Sequence, residues 1–179
     1  MNTLTAPTLS RRSLLKVGLL GGAVLATAGA TVALVDRFSS APAEGYLTLR
    51  PADLPILFAL APVMLEGAVE PARLSEASRA TVQSLDTQLA HLSPEMLKLT
   101  RQLFDVLALP VTRGPLTGIW GGWETATPEA VRNFLVRWEN SPLALLRMGH
   151  ASLLQLVMMA WYGRPESWAH CGYPGPPTV

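Results

Sequence analysis

From residue 53 to residue 163 the apolar residues return every third or fourth position, and nowhere do they alternate one by one. A helix turns once per 3.6 residues and a strand repeats every two, so this spacing admits helices and leaves no half-buried sheet. Leu57, Leu60, Ala61 and Met64 make the first stripe, with Asp53 ahead of it as a cap and Pro62 placed to bend it. Val82, Leu85, Leu89 and Leu92 keep helical spacing along an otherwise polar segment at about residues 72–92. Ser93-Pro94-Glu95 then sets a capping hydroxyl before a proline at the first helical position, with Met96, Leu99, Leu103 and Val106 as the expected buried stripe and Pro110 as the stop. Thr127-Pro128-Glu129 repeats that start ahead of Val131, Phe134, Leu135 and Trp138.

Ser141-Pro142 opens the last helix, Leu143 to about Tyr162, which is apolar nearly all round from Ala151 onward. Such a helix is central in its own core or covered by a partner. Arg147, His150 and Gln155 lie inside it and argue against a membrane span, because a polar group in hydrocarbon costs about 2 kcal/mol or more. Between Leu109 and Ala126, Trp120 and Trp123 stand among glycines whose spacing matches no phosphate-binding loop, which predicts a packed loop with tryptophan anchors. The predicted fold is all-α: one bundle of about five helices over residues 53–163, a linker at 44–52 before it, and an irregular aromatic and proline-rich tail at 164–179 after it.

The first 43 residues read as an address. Ser10, Arg11, Arg12, Ser13, Leu14, Leu15 and Lys16 run directly into Val17–Val35, an uncharged stretch diluted by four glycines. This is the pattern of a twin-arginine signal, which exports chains already folded. Small residues at Ala41 and Ala43 offer cleavage, expected near Ala43; the 19 residues of this stretch also approach the roughly 20 needed for a retained anchor. The localisation expected is the periplasm.

Four of the fourteen basic residues and one of the thirteen acidic ones precede Glu44, which leaves ten against twelve, or about −2, for the 136 residues that follow. Without a clustered basic face, nucleic-acid binding has no electrostatic support. A domain of this size buries enough surface to fold without staples.

Cys171 is the single cysteine, which excludes an internal disulfide, a thiolate metal site and a c-type haem attachment in this chain. His91, His150 and His170 stand in no metal-binding spacing. His170 beside Cys171 could raise the thiolate fraction, but a catalytic pair generally comes from distant positions, and no orienting partner is evident. The acidic residues, scattered singly, read as solvated faces. No catalytic, cofactor or metal site is expected. A lone thiol in an oxidising compartment is either buried or paired with another chain, and Cys171 is the candidate for an intermolecular disulfide.

The segment from Trp161 to Pro177 holds four aromatics and four prolines besides this cysteine. Aromatic rings dominate interface energies, so the tail is expected either folded back on the bundle or lying against a partner.

Three features together, the leader, the Trp138-Glu139-Asn140-Ser141-Pro142 and Leu146-Arg147 helix pair, and the Trp161-Tyr162 to Gly172-Tyr173-Pro174-Gly175-Pro176 ending, give the chain a resemblance to a known family. Over its whole length it resembles the small subunit of membrane-associated FAD-dependent sugar and polyol dehydrogenases, the sorbitol dehydrogenase and gluconate 2-dehydrogenase subunit 3 type. The resemblance implies a non-catalytic accessory subunit that assists maturation and export of a large flavin subunit of the glucose-methanol-choline class. FAD would belong to that partner, and a haem c subunit often completes such complexes. Trp138, Arg147, Trp161, Tyr162, Trp168, Cys171, Tyr173 and Pro174 are then the candidate partner contacts. The competing reading is a free-standing periplasmic or membrane-anchored helical binding protein.

Overall fold

Two hydroxyls start helices where the sequence places them. Ser93 accepts the Met96 N–H at 3.3 Å and Thr127 accepts the Ala130 N–H at 3.2 Å, each just before a proline whose missing N–H would have had no helical partner. The computed structural model describes residues 41–175, with the backbone alone for 169–171. The leader, including Ser10, Arg11, Arg12, Leu14, Leu15 and Lys16, lies outside the described residues.

The described chain is all-α, as expected, with seven helices and no strand. They are α1 (Leu54–Met64), α2 (Leu74–Leu89), α3 (Pro94–Ala108), α4 (Pro110–Thr117), α5 (Pro128–Glu139), α6 (Ala144–Tyr162) and α7 (Pro165–Cys171), with single 3-10 turns at Pro71–Arg73 and Trp123–Thr125. Helix α1 is the hub. It buries Ile56, Leu57, Leu60 and Ala61 and touches α2, α3, α5, α6 and the Trp123 turn. Helix α6 packs against α2 and α5 as well. Phe134 of α5 fills the centre edge-on between Trp123 and Trp138, with ring centroids 5.8 and 4.9 Å away.

Four expectations about the course of the chain need correction. The stripe of α3 is rotated: Thr100, Phe104 and Leu107 face the core, whereas Met96 and Leu99 are exposed. Thr100 can be buried because its hydroxyl donates to the Met96 carbonyl at 3.0 Å, which satisfies the group that made the position look polar.

The stretch after Leu109 is not all loop. It forms α4 and stops at Gly118, and only one of its two tryptophans is an anchor: Trp123 is buried with Nε1 on the Leu107 carbonyl at 2.8 Å, while Trp120 is 77% exposed.

The tail is not irregular from residue 164. Arg164 donates to the Ala80 carbonyl at 3.2 Å, Ser167 is fully buried, and α7 begins at Pro165, so the chain turns back onto α2.

The fourth correction is the linker. Thr48, Leu49 and Arg50 are buried. Asp86 of α2 accepts three backbone N–H groups from this segment, from Leu47 at 2.6 Å and from Thr48 and Leu49 at 2.8 Å each. Backbone donors removed from water require acceptors, and one carboxylate supplies them.

Candidate functional site

The charged residues inside the fold serve its closure. Arg50 meets Asp53 through two hydrogen bonds, at 3.0 and 2.8 Å, and reaches Asp105 of α3 at 2.7 Å. Burial alone would lower the Arg50 pKa, but the hydrogen bonds and charges of Asp53 and Asp105 outweigh it and hold the guanidinium above its ordinary value. Asp53 therefore does not cap α1 with its side chain, as the sequence led us to expect, because both its oxygens are taken by Arg50. Asp53 and Asp86 are not solvated-face acids: they are buried carboxylates whose oxygens hold the strap at residues 47–50 in place. Among the described residues no three His, Cys, Asp or Glu side chains converge as metal ligands. His91 is exposed and its Nδ1 lies 2.7 Å from the Thr87 carbonyl of its own helix end.

The surface feature that stands apart is on α6. Ser141 receives the Leu143 N–H at 3.2 Å and its carbonyl receives Arg147 Nη1 at 2.6 Å, which fixes the entry to the helix. One side of α6 then buries Leu153, Val157, Ala160 and Trp161. Gly149 lies on the same side, over the indole of Trp138.

The other side carries Leu145, Met148, Ser152, Gln155, Met159 and Tyr162, spaced three and four residues apart and all exposed. Leu145 is 76% exposed, Met148 65%, Met159 56% and Tyr162 46%. At 1.5 Å rise per residue this stripe runs about 25 Å. It holds no charged side chain.

At the carboxyl end of α6 the stripe meets an aromatic cluster. The Tyr162 carbonyl accepts Trp168 Nε1 at 3.0 Å, and the Trp168 ring meets Tyr173 edge-on at 5.5 Å. Tyr173 and Pro174 are exposed and Trp168 is half-buried.

Of the expected partner contacts, the fold gathers Tyr162, Trp168 and Tyr173 here, with Pro174 next in the chain. It withdraws two others. Trp138 is buried, with Nε1 on the Leu116 carbonyl at 2.9 Å, and Trp161 of α6 is buried at 5% exposure. Both rings have apolar area that the bundle itself covers. Arg147 is exposed but turned back onto Ser141. Cys171 ends α7, and its side chain lies outside what is described.

From the sequence neither Leu145 nor Met148 is singled out, and Met159 reads only as one of the apolar residues of a helix that is central or covered. Their signal was present as a second stripe of period 3.5 on a helix that already had one.

No family model, no curated protein and no solved structure matches the chain. Among the described residues no helix is long and apolar enough to cross a membrane.

Proposed function

We propose that this chain is a non-catalytic accessory subunit that binds a larger flavin-dependent sugar, polyol or alcohol dehydrogenase chain, assists its maturation, and carries it through the twin-arginine route to the periplasm. The observation that carries the reading is the uncovered stripe of α6. Leucine, methionine and tyrosine at this exposure are ordinary singly, but in one line on one helix they read as a surface made to be covered. Leu145, Met148, Met159 and Tyr162 would enter the partner's groove as helix-face anchors, and Trp168 and Tyr173 would extend the contact beyond the helix end. A stable interface takes about 800 Å² per side, and the aromatic cluster would add its area to that of the stripe.

FAD would reside in the partner, and a haem c subunit would be a third member of the complex. The twin-arginine leader of Ser10 to Lys16 supports the export role, since that route takes passengers already folded around their cofactors. Cys171 is the candidate for a covalent tether to the flavin chain, and non-reducing electrophoresis of freshly exported complex would show the summed mass.

Changing Arg11 and Arg12 together to lysine tests the escort role. The expected result is that both this chain and the flavin activity remain in the cytoplasm. Normal periplasmic flavin activity in that strain would contradict it.

A further inference from the structure

The strap that sequence reading took for a linker has a closed geometry of its own. Ala43 donates its N–H to the Leu49 carbonyl at 2.7 Å, and its carbonyl accepts the Tyr46 N–H at 3.0 Å. Gly45 stands at φ +80°, the left-handed value required at the third position of a type II turn, so Ala43 to Tyr46 is such a turn. Beyond it Asp86 holds Leu47, Thr48 and Leu49 by their N–H groups, and Arg50 carries the hold onward to Asp105. Asp86 lies on α2 and Asp105 on α3, so these bonds form only when both helices are in place.

We propose that residues 43–50 form a latch that closes on the folded domain and shields the Ala43–Glu44 peptide bond, so that leader removal from the folded chain falls on the amino-terminal side of Ala43. Hydrolysis adds one water across a peptide bond and yields a carboxylate and an ammonium group, and nothing in that chemistry spares this bond. Its protection is conformational. A protease takes its substrate as an extended strand, whereas here the Ala43 carbonyl to be attacked is occupied by the Tyr46 N–H and the N–H of Ala43 itself is bonded to the Leu49 carbonyl. The Glu44 side chain is exposed, so the limit is the backbone and not access to the site. Cutting must wait for the latch to open, and its rate then follows the open population. The latch stands on the geometry alone; only the clause about leader removal rests on the export reading.

The test is native-state proteolysis of the full-length chain, purified from the export-blocked Arg11→Lys, Arg12→Lys strain. A glutamate-specific protease, which cuts the neighbouring Glu44–Gly45 bond at the centre of the same turn and so reports the same opening, is added and intact masses are followed. Loss of about one charge-assisted bond changes an opening equilibrium by roughly tenfold or more, so Asp86→Asn is expected to speed cutting after Glu44 by at least that factor.

Gly45→Ala is the second variant. Its new methyl would meet nothing within 4 Å, but alanine is strained at this φ, so the turn opens while the helices stay folded. It too should be cut faster. Equal cutting after Glu44 in wild type, Gly45→Ala and urea-unfolded chain overturns the latch.

The amino-terminal residue of the exported wild-type chain tests the processing clause separately. A start at Ala43 or earlier, the intact leader included, supports it, and a start at Glu44 or later overturns it. Because the proteolysis needs no export, failure of the latch and failure of the escort role give different results.

Discussion

Asp86 and Leu49 lie 37 positions apart in the chain, and the carboxylate of one receives the backbone N–H of the other at 2.8 Å in the interior. With Thr48 bonded to the same oxygen and Leu47 to the other, a single side chain of α2 receives all three N–H groups of residues 47–49. Asp86→Ala leaves the buried donors of Thr48 and Leu49 without acceptors, at about 1–3 kcal/mol each, so a loss of about 3 kcal/mol is expected in urea unfolding. Asp86→Asn retains one acceptor oxygen and should lose less. A change below about 0.5 kcal/mol for the alanine variant would show that the strap is not part of the cooperative fold.

The rotated face of α3 gives a contrast within one helix. Phe104→Ala should cost about 3–5 kcal/mol, since the ring is buried against the core and the cavity cannot fully collapse. Leu99→Ala, at an exposed position, should stay within about 0.5 kcal/mol. Thermal or urea unfolding of the pair distinguishes this face from the one that apolar spacing alone selects.

Gly149 sits where two preferences conflict. Alanine in a helix interior gains about 1 kcal/mol over glycine, but a Cβ at this position would stand 2.5 Å from the Trp138 ring. Trp138 is buried and hydrogen-bonded to Leu116, so it cannot withdraw cheaply. Gly149→Ala is therefore expected to destabilise by about 1–3 kcal/mol, measured by the urea midpoint. A stabilised variant would mean that the α5–α6 contact is looser than described.

The local grammar of this chain was legible. Ser93 and Thr127 cap where hydroxyl-proline pairs say they should, and Val131, Phe134 and Trp138 face inward as their spacing requires. What escaped depended on partners far away in sequence. Nothing near Asp86 says that it will receive the N–H groups of residues 47–49, and nothing near Arg50 names Asp105.

The phase of α3 escaped because Met96 and Leu99 are as apolar as Phe104 and Leu107, and only the packing chooses between two adjacent stripes. Trp138 and Trp161 were expected at a partner through the motifs of the family resemblance, although Trp138 also completes the apolar stripe of its own helix, and a large ring serves a small core equally well. The exposed side of α6 was half legible: the helix was expected to be central or covered, and the hub position went to α1 instead.

That exposed side bears the central proposal, and isolating the chain under conditions that would keep the proposed partner tests it most directly. An affinity-tagged chain, exported in its native host and purified under mild conditions, is expected to bring down a larger chain with flavin absorbance. Met148→Glu combined with Met159→Glu places two charges on the stripe at exposed positions, where the bundle should tolerate them within about 0.5 kcal/mol apiece. The account predicts that this variant is exported and as helical as wild type but elutes alone and colourless, because charges buried unpaired in an interface are costly. A wild-type chain that elutes as a colourless monomer, or a double variant that keeps its flavin-bearing partner, would contradict it.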